Sequence, residues 1–500
     1  MILKSTTERE EEETTLHLSA VDQNVVRVYT QVFLTFPFPN ATQRDVAEEA
    51  LRKGLHATLQ NFPFLAGKLS LADDHSGKLV LTYPTKLPDI ETSDIFAVEE
   101  DNKFRSYSSL KEDGMPPDAF LGSRLRPADF TKYPGISADG EGIVNFDNGN
   151  EAPVMRVQAV FISGGLILSM YVHHAVMDCA GINVFWNCFA ENISALTSKA
   201  HETGSPATDY ALRQLSMRQE LNERAATHVD GQLPSAEAYV EGVFKYNKSL
   251  PEDTECALRI FTIPADRIRN YREHLKQYLP DPPRLTICNV LAALLWIHVT
   301  RARAFRRGNC GDEKSKIGIA TDMRKRMNPP LAETYTGNMA IFTTGSLTVK
   351  DVTAEAKVTE HTIVPTIREV QKAVGKVDNN WASQHVGFFK SIDPITDNEV
   401  GLAFRFGMDI YITSWMNFGA DIQWNIPGTD LDEHSLGGRP EFIRRSYGPA
   451  DGGMMIMPRR RHLVNGEEAP YEVMVRLAEV DMNRLMEEEG GFREWADRVI

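Results

Sequence analysis

The sequence predicts an α/β protein made of two mixed-sheet domains, and three observations carry that prediction. Its 500 residues exceed what one hydrophobic core usually supports, so two domains are expected. Segments with the period-two pattern of strands alternate with segments of helical period along the chain. Finally, the run over residues 166–190, LILSMYVHHAVMDCAGINVFWNCFA, reads as a strand, a short turn and an apolar helix. Leu166, Leu168, Met170 and Val172 form the strand pattern, which stops at His173-His174. Histidines at a strand's end, before a turn, are presented rather than packed.

In chain order, the acidic start MILKSTTEREEEETT reads as a short solvated tail. It is too acidic and polar for a secretory signal or transit peptide. Val26, Val28, Val32 and Leu34 then predict one face of a strand ending at Pro37 and Pro39. Thr42 with Asp45 resembles a capping box, and Val46, Ala50, Leu51, Leu55 and Leu59 give a helical stripe. NFPFLAGKLSLADDHSGKLVLTYP predicts a loop and a hairpin turning near His75-Ser76-Gly77. Residues 106–150 are rich in Gly, Pro and Asp and read as loop; 154–162 and 165–172 read as paired strands. One sheet is expected for the first unit, residues 1–215. Residues 216–250 lose strand character and contain THVDGQLPSAEA, a linker or crossover. The second unit, 251–500, opens near Cys256 with a strand and a helix whose start lies near Pro264-Ala265-Asp266. Thr286 caps the strongly apolar helix ICNVLAALLWIHVTRARAF, whose terminal arginines suit its dipole. IGIATDMRKRM is a strand entering a charged turn. Further strands are expected at 338–347, 410–415, 454–457 and 472–477, and a polar helix closes the chain.

The net charge of −15 disfavours nucleic acid as a partner, because a broad basic face is missing. No apolar run reaches membrane-span length, so no membrane partner is expected. The five cysteines lack CxxC spacing, which fits a reduced, cytoplasmic compartment. Among thirteen histidines only His174 has an aspartate four residues on, Asp178. HxxxD alone is a weak signal; its strand–turn–helix context raises its value. Adjacent strand residues point to opposite faces, so His173 and His174 cannot both face a substrate or form a metal pair, and no third metal ligand is visible.

HHAVMDCAG, in that context, resembles the HHxxxDG-type motif of the BAHD acyltransferase family and of its wider superfamily, which includes chloramphenicol acetyltransferase and peptide-synthetase condensation domains. Four more segments resemble the family in the expected order. They are LSAVDQ (18–23), NFPFLAGKL (61–69), TDMRKRMNPPLAETYTGN (321–338) and ITSWMNFGADIQWN (412–425). GRPEFIRR and DGGMMIMP look most like the fungal secondary-metabolite O-acetyltransferases. The chain departs from the pattern twice. Cys179 replaces the glycine after the motif aspartate, and the DFGWG signature is degraded to Asp421-Ile422-Gln423-Trp424-Asn425. In the family that second motif is taken to be structural.

The resemblance implies a chloramphenicol-acetyltransferase-like fold, two similar mixed-sheet domains with an active-site channel between them. It implies a monomer that moves an acyl group, acetyl in the fungal branch, from acyl-CoA as co-substrate to an alcohol or amine. Acyl transfer needs a base, an oxyanion donor and exclusion of water. His174 is the expected base, since an imidazole titrates near neutrality. No Ser or Cys beside it serves as a nucleophile, and Cys179 more simply fills a turn position. Asp178 could orient His174 as in a hydrolase triad; the resemblance implies instead an ion pair with Arg324. Thr413 matches the family's oxyanion donor, although a threonine also suits a strand. Ser414 and Trp415 border it, and Trp415 either lines the channel or packs. For the CoA phosphates, Thr286 at a helix start and the Arg324-Lys325-Arg326 run are candidates, with solvated charge as the alternative. No permanent cofactor and no metal are expected. Two other functions stay open: CoA-independent condensation or cyclisation of a metabolite on the same scaffold, and non-catalytic binding of a small molecule.

Overall fold

The structure, a computed structural model, describes residues 13–197, 208–226, 236, 239–241, 254–280, 283–308, 310–355, 357–395, 398–400, 402, 406–446 and 451–500. The acidic tail up to residue 12 and most of the expected linker lie outside these residues.

The first half is organised by the strand Gly165–His173, which runs antiparallel to Tyr29–Pro37 with Tyr29 opposite His173. It also pairs antiparallel with Met155–Ile162, and Phe96–Glu100 adds a parallel edge to that strand. The sheet is therefore mixed. Both faces are covered, which is why almost every residue of its central strands is buried. On one face, helices Arg44–Asn61 and Cys179–Thr197 approach closely. A Cβ on Gly54 would lie 2.6 Å from Ile193 Cγ1, so a larger residue would push the two helices apart. The other face is covered by residues 106–150, where Phe120 and Phe130 pack against Phe33, Tyr29 and Tyr171. That segment contains short helical turns and no strand.

In the second half, seven strands lie in the order Ala340–Thr348, Lys314–Asp322, Ile410–Ser414, Gly453–Ile456, Tyr471–Ala478, Cys256–Ile263, Arg498–Val499. Two of the pairings are parallel and the others antiparallel. Helix Ile287–Arg307 supplies most of this half's core. Its N-terminus forms a full capping box, Thr286 with Asn289, as the apolar run after a threonine predicts.

Several expectations are corrected. Val26 and Val28 precede the strand Tyr29–Pro37 rather than lying in it, and Val28 O accepts from His174 N. The Thr42–Asp45 capping box does not form. Thr42 donates instead to Asn40 Oδ1, and the helix begins through a 3-10 turn without a side-chain cap. Val46 consequently faces solvent while Ala47 is buried. The first half holds a second sheet, of Glu13–Leu16, Leu79–Pro84, Lys68–Leu71 and Ala152–Pro153, with the predicted hairpin at its centre. After helix Glu479–Glu487 the chain ends in a 3-10 turn and a strand rather than in a helix.

Sequence reading also missed helix Glu360–Gly375, whose Pro365 reads as a breaker although Ile363, Ile367 and Val370 form a buried stripe. It missed the strand Phe442–Arg444 as well, which leaves the second half and pairs with Tyr29–Pro37, Ile443 opposite Leu34. Arg444 secures that crossing. Its buried guanidinium donates two bonds to the Glu472 carboxylate and two more to the carbonyls of Gly114 and Met115. The division into 1–215, 216–250 and 251–500 is a proposal about contiguous units, and this strand sits in the sheet of the other half. Arg444→Met leaves the Glu472 carboxylate and two carbonyls without their donor. We expect a loss of about 3 kcal/mol in urea unfolding; a loss below about 0.5 kcal/mol would refute the role of Arg444 as the clasp.

Candidate active site

His174 leaves the strand Gly165–His173 with its amide donating to Val28 O at 2.8 Å. A turn closed by Val176 N to His173 O follows, and helix Cys179–Thr197 begins at once. Asp178 caps that helix, accepting from Gly181 N at 3.0 Å. A Cβ on Gly181 would stand 2.0 Å from Thr336 O, so glycine lets the helix start lie directly on the backbone of 336–337. Three more donors complete the carboxylate: Arg324 Nη1 and Nη2 at 3.0 and 2.8 Å, and Met339 N at 2.9 Å. Burial alone would raise the Asp178 pKa, but the Arg324 charge and these amides outweigh it and hold it below the usual carboxylate range. Arg324 and Asp178 therefore form the buried pair the resemblance implied. Asp178 makes no hydrogen bond to the His174 ring.

The ring is held by Asn338 instead. Asn338 Nδ2 donates to His174 O at 2.8 Å and to Asp22 Oδ1 at 2.9 Å. With its amide nitrogen facing two acceptors, Asn338 presents Oδ1 to His174 Nδ1 at 3.1 Å. Nδ1 must then carry the proton, which leaves the lone pair on Nε2. Asp22 is itself saturated, receiving Asn338 N at 2.7 Å, both Ser19 donors and Arg218 Nε at 3.1 Å. Arg218 Nη2 continues to Val176 O in the turn. Two buried acid–arginine pairs thus flank the His174 loop, Asp178 with Arg324 and Asp22 with Arg218.

Burial depresses the His174 pKa below 6.5, Arg445 adds to this, and its backbone, Asp178 and Asn338 oppose it. The imidazole is neutral at pH 7 and able to accept a proton. His173 is fully buried on the opposite side, edge-on to the rings of Tyr29 and Phe146. Ala175 N donates to its Nδ1, and its Nε2 has no hydrogen-bond partner. Burial pushes its pKa down to about 3. The two histidines divide as strand geometry requires.

Thr413 is the penultimate residue of the strand Ile410–Ser414, opposite Met455 of the neighbouring strand. Ser414 Oγ lies 3.4 Å from Cys288 Sγ, which ties this strand to the start of helix Ile287–Arg307. Trp415 packs in the same core cluster as the strand leading to His174, beneath the guanidinium of Arg445. Two of the candidates for CoA phosphate are engaged elsewhere. The Thr286 hydroxyl serves its cap, and Arg324 is enclosed by Asp178, Asp322 and Gly337 O. Arg326 donates to Val374 O and Val377 O, while Lys325 extends into solvent beside Glu333. Burial and Asp178 raise the Cys179 thiol well above its ordinary range, so it stays un-ionised. The altered second motif has a structural role: Asp421 accepts from the amides of Arg461 and His462, Trp424 is buried by Phe36 and Phe189, and Asn425 donates to Ser194. Among the described residues no three His, Cys, Asp or Glu side chains converge as a metal site, and no helix is long and apolar enough to cross a membrane.

Asn338, Asp22, Arg218 and Arg445 are the residues that sequence reasoning did not assign. The first two lie in segments that carried the resemblance, at the ends of TYTGN and within LSAVDQ. The signal was present, but only the fold shows that these positions meet.

Two mixed sheets, with a neutral histidine fixed between buried acid–arginine pairs, define an acyltransferase of the two-half type. The chain belongs to the Transferase family, whose profile matches residues 143–490; the profile of the trichothecene 3-O-acetyltransferase-like N-terminal domain matches residues 28–192. It is 24% identical to a trichothecene 8-O-acetyltransferase of Fusarium sporotrichioides, covering 96% of this chain and 97% of that protein. It is 25% identical to the O-acetyltransferase astG of Aspergillus oryzae, covering 92% and 98%. In fold it is similar to F. sporotrichioides TRI101 complexed with coenzyme A and T-2, with a TM-score of 0.74 at 17% identity over 97% of this chain and 99% of that one. Vinorine synthase is similar at a TM-score of 0.57 and 16% identity, covering 95% and 93%.

Two outcomes follow from the buried charges. Asp178→Ala leaves Arg324 with only the more exposed Asp322 as its acid and should cost about 3–5 kcal/mol in chemical unfolding, while Asp178→Leu combined with Arg324→Met recovers much of the loss; an additive double variant would refute the coupling. His173 titrates at about 3 when folded and near 6.5 when unfolded. Below pH 6.5 the unfolded chain therefore binds a proton that the folded one refuses, and stability falls with pH, by at most about 1.4 kcal/mol per pH unit, down to about 3. His173→Gln should flatten that limb; an unchanged acid limb would show that other groups set it.

Proposed function

We propose that this chain transfers an acyl group, most simply acetyl, from coenzyme A to a hydroxyl of a small secondary metabolite, with His174 as general base. The observation that supports this best is the fixed tautomer of His174. Asn338 Oδ1 accepts a hydrogen bond from Nδ1–H, so Nε2 accepts the proton of the acceptor's O–H as the oxygen attacks the thioester carbonyl carbon. The C=O pair moves onto oxygen, and the Thr413 hydroxyl donates to that oxyanion. As the pair returns, the C–S bond breaks and the sulfur takes the proton back from the imidazolium. The ester and free CoA leave, and His174 is neutral again. No acyl-enzyme is involved, in keeping with a Cys179 thiol that stays protonated.

The names of the relatives support acetyl transfer to oxygen, and TRI101 holding coenzyme A and T-2 supports a CoA thioester and a small alcohol. In this reading the enzyme works as a monomer in the cytoplasm. The CoA-independent alternative rested on Cys179 and on the altered second motif, and both have structural accounts here.

The test begins with acetyl-CoA in a thermal-shift titration, because no acceptor is needed. Ligand at about 100 times its dissociation constant adds about 2.7 kcal/mol. A saturable rise is expected; no response up to millimolar ligand would overturn CoA dependence. With an acceptor in hand, His174→Ala should lower kcat about 100- to 10,000-fold while unfolding stays cooperative. Turnover retained in that variant would overturn the role of His174.

A further inference from the structure

The helix Thr208–Glu223 takes no part in the chemistry so far, yet two of its side chains reach the loop that carries His174. Gln214 and Arg218 stand one helical turn apart, so they share a face, and both are fully buried. The Gln214 carboxamide holds the chain ahead of Asn338. Its Nε2 donates to Thr334 O at 2.6 Å, and its Oε1 accepts from Thr336 N and Oγ1 at 3.0 and 2.8 Å. Arg218 reaches the other side of the loop, where Nη2 donates to Val176 O at 2.9 Å and Nε to Asp22 Oδ2 at 3.1 Å. The Asp22 carboxylate then divides its two oxygens. Oδ2 receives Ser19 N at 2.9 Å and Ser19 Oγ at 2.8 Å beside Arg218, while Oδ1 receives Asn338 twice, through N at 2.7 Å and Nδ2 at 2.9 Å. An ionised carboxylate can accept and cannot donate. Against it the Asn338 amide has one workable orientation. Turned over, its Oδ1 would face Asp22 Oδ1 and His174 O, with no proton among the three.

We propose that Asp22, fixed by Arg218, is a positioning residue that selects the catalytic tautomer of His174 through Asn338. The inference rests on the acyl-transfer reading above, in which Nε2 has to be bare. Three hydrogen bonds carry the selection: Arg218 Nε to Asp22 Oδ2, Asn338 Nδ2 to Asp22 Oδ1, and His174 Nδ1 to Asn338 Oδ1 at 3.1 Å. What passes along them is the order of donor and acceptor, while the charge stays on Asp22. His174 O favours the same amide orientation, and Asp22 adds to it a charge-assisted bond, roughly twice as strong as a neutral one. Arg218 and Ser19 crowd donors onto Oδ2, so the oxygen turned toward Asn338 is kept for accepting. The two buried acids then have different tasks. Asp178 holds the position of the loop, and Asp22 sets the place of the proton on the ring.

The test uses Asp22→Asn, which keeps the shape of the side chain and changes its polarity. The new NH2 group has to face either the three donors at the Oδ2 position, one of them a cation, or Asn338. It turns to Asn338, whose amide rolls over to accept it. Asn338 Nδ2 then donates to His174 Nδ1, and the ring proton moves to Nε2, where it blocks uptake of the acceptor's proton. Nitrogen NMR of isotopically labelled histidine rings, with His174 assigned by His174→Ala, reads the tautomer directly. The native chain should show a protonated Nδ1 and a bare Nε2, and Asp22→Asn the reverse. Arg218→Lys, which leaves a cation on Asp22, should keep the native tautomer. With an acceptor, Asp22→Asn should lower kcat by about 100- to 10,000-fold and leave KM for acetyl-CoA little changed. A protonated Nε2 in the native chain would overturn the proposal, whether or not any variant folds. Asp22→Asn with the native tautomer would overturn it too, even at low activity, because that result marks a merely structural role; so would a reversed tautomer in Arg218→Lys. Failure of the acyl-transfer reading would appear separately, as the lack of any thermal response to acetyl-CoA in the native chain.

Discussion

The buried carboxylate of Asp178 is the constraint on which the rest of the site depends. A charge at that depth is costly to desolvate, and in a low-dielectric interior it persists only when its lone pairs are filled. Here four N–H groups fill them: two from Arg324, one from the helix that begins at Asp178, one from Met339. Arg324 lies 146 residues away in the chain, so filling Asp178 fixes the two halves relative to one another at the point where His174 emerges. Hydrophobic packing alone could slide by a few tenths of an ångström without breaking. A saturated carboxylate cannot, because each lost donor leaves a buried acceptor unsatisfied.

A second acid repeats the device with a different consequence. Asp22 is filled by Ser19, Arg218 and Asn338, and it is the neutral Asn338, rather than either acid, that touches the imidazole. In a serine-hydrolase triad the carboxylate sits on the histidine and stabilises its charged form. Asn338 fixes the tautomer while contributing no net charge, so the ring stays a weak base held neutral by its burial. Such an arrangement suits a reaction in which one proton is borrowed from an alcohol and returned to a thiolate, since a base that bound it too firmly would be slow to release it.

What the sequence disclosed followed from local physics. The strand–turn–helix around His174, the hairpin at 68–84, the cap at Thr286 and the second-half strands each depend on residues close together in the chain, and each is present. Where local signals competed, reading failed. Thr42 offered a cap, but the chain entered its helix through a 3-10 turn. Pro365 hid a helix whose buried face outweighs one missing hydrogen bond. The pairing of Asp178 with Arg324 was legible only through resemblance, and the Asn338–Asp22 contact, 316 residues apart, was not legible at all. Nothing in either segment states that it will meet the other.

The same distances explain how the molecule divides constancy from change. His174, Asn338 and Asp22 come from three separate stretches of chain, joined by buried polar contacts that tolerate little substitution. Residues 106–150 and 416–438 border these stretches and are of a different kind. Their backbones are held by turns and short helical segments rather than by sheet pairing, so their surface residues can change without disturbing a ladder of hydrogen bonds. An acyltransferase built in this way can exchange its acceptor by altering loops while its proton chemistry is left untouched. We propose these loops as the carriers of specificity, with the buried acids as the reason that they are free to vary.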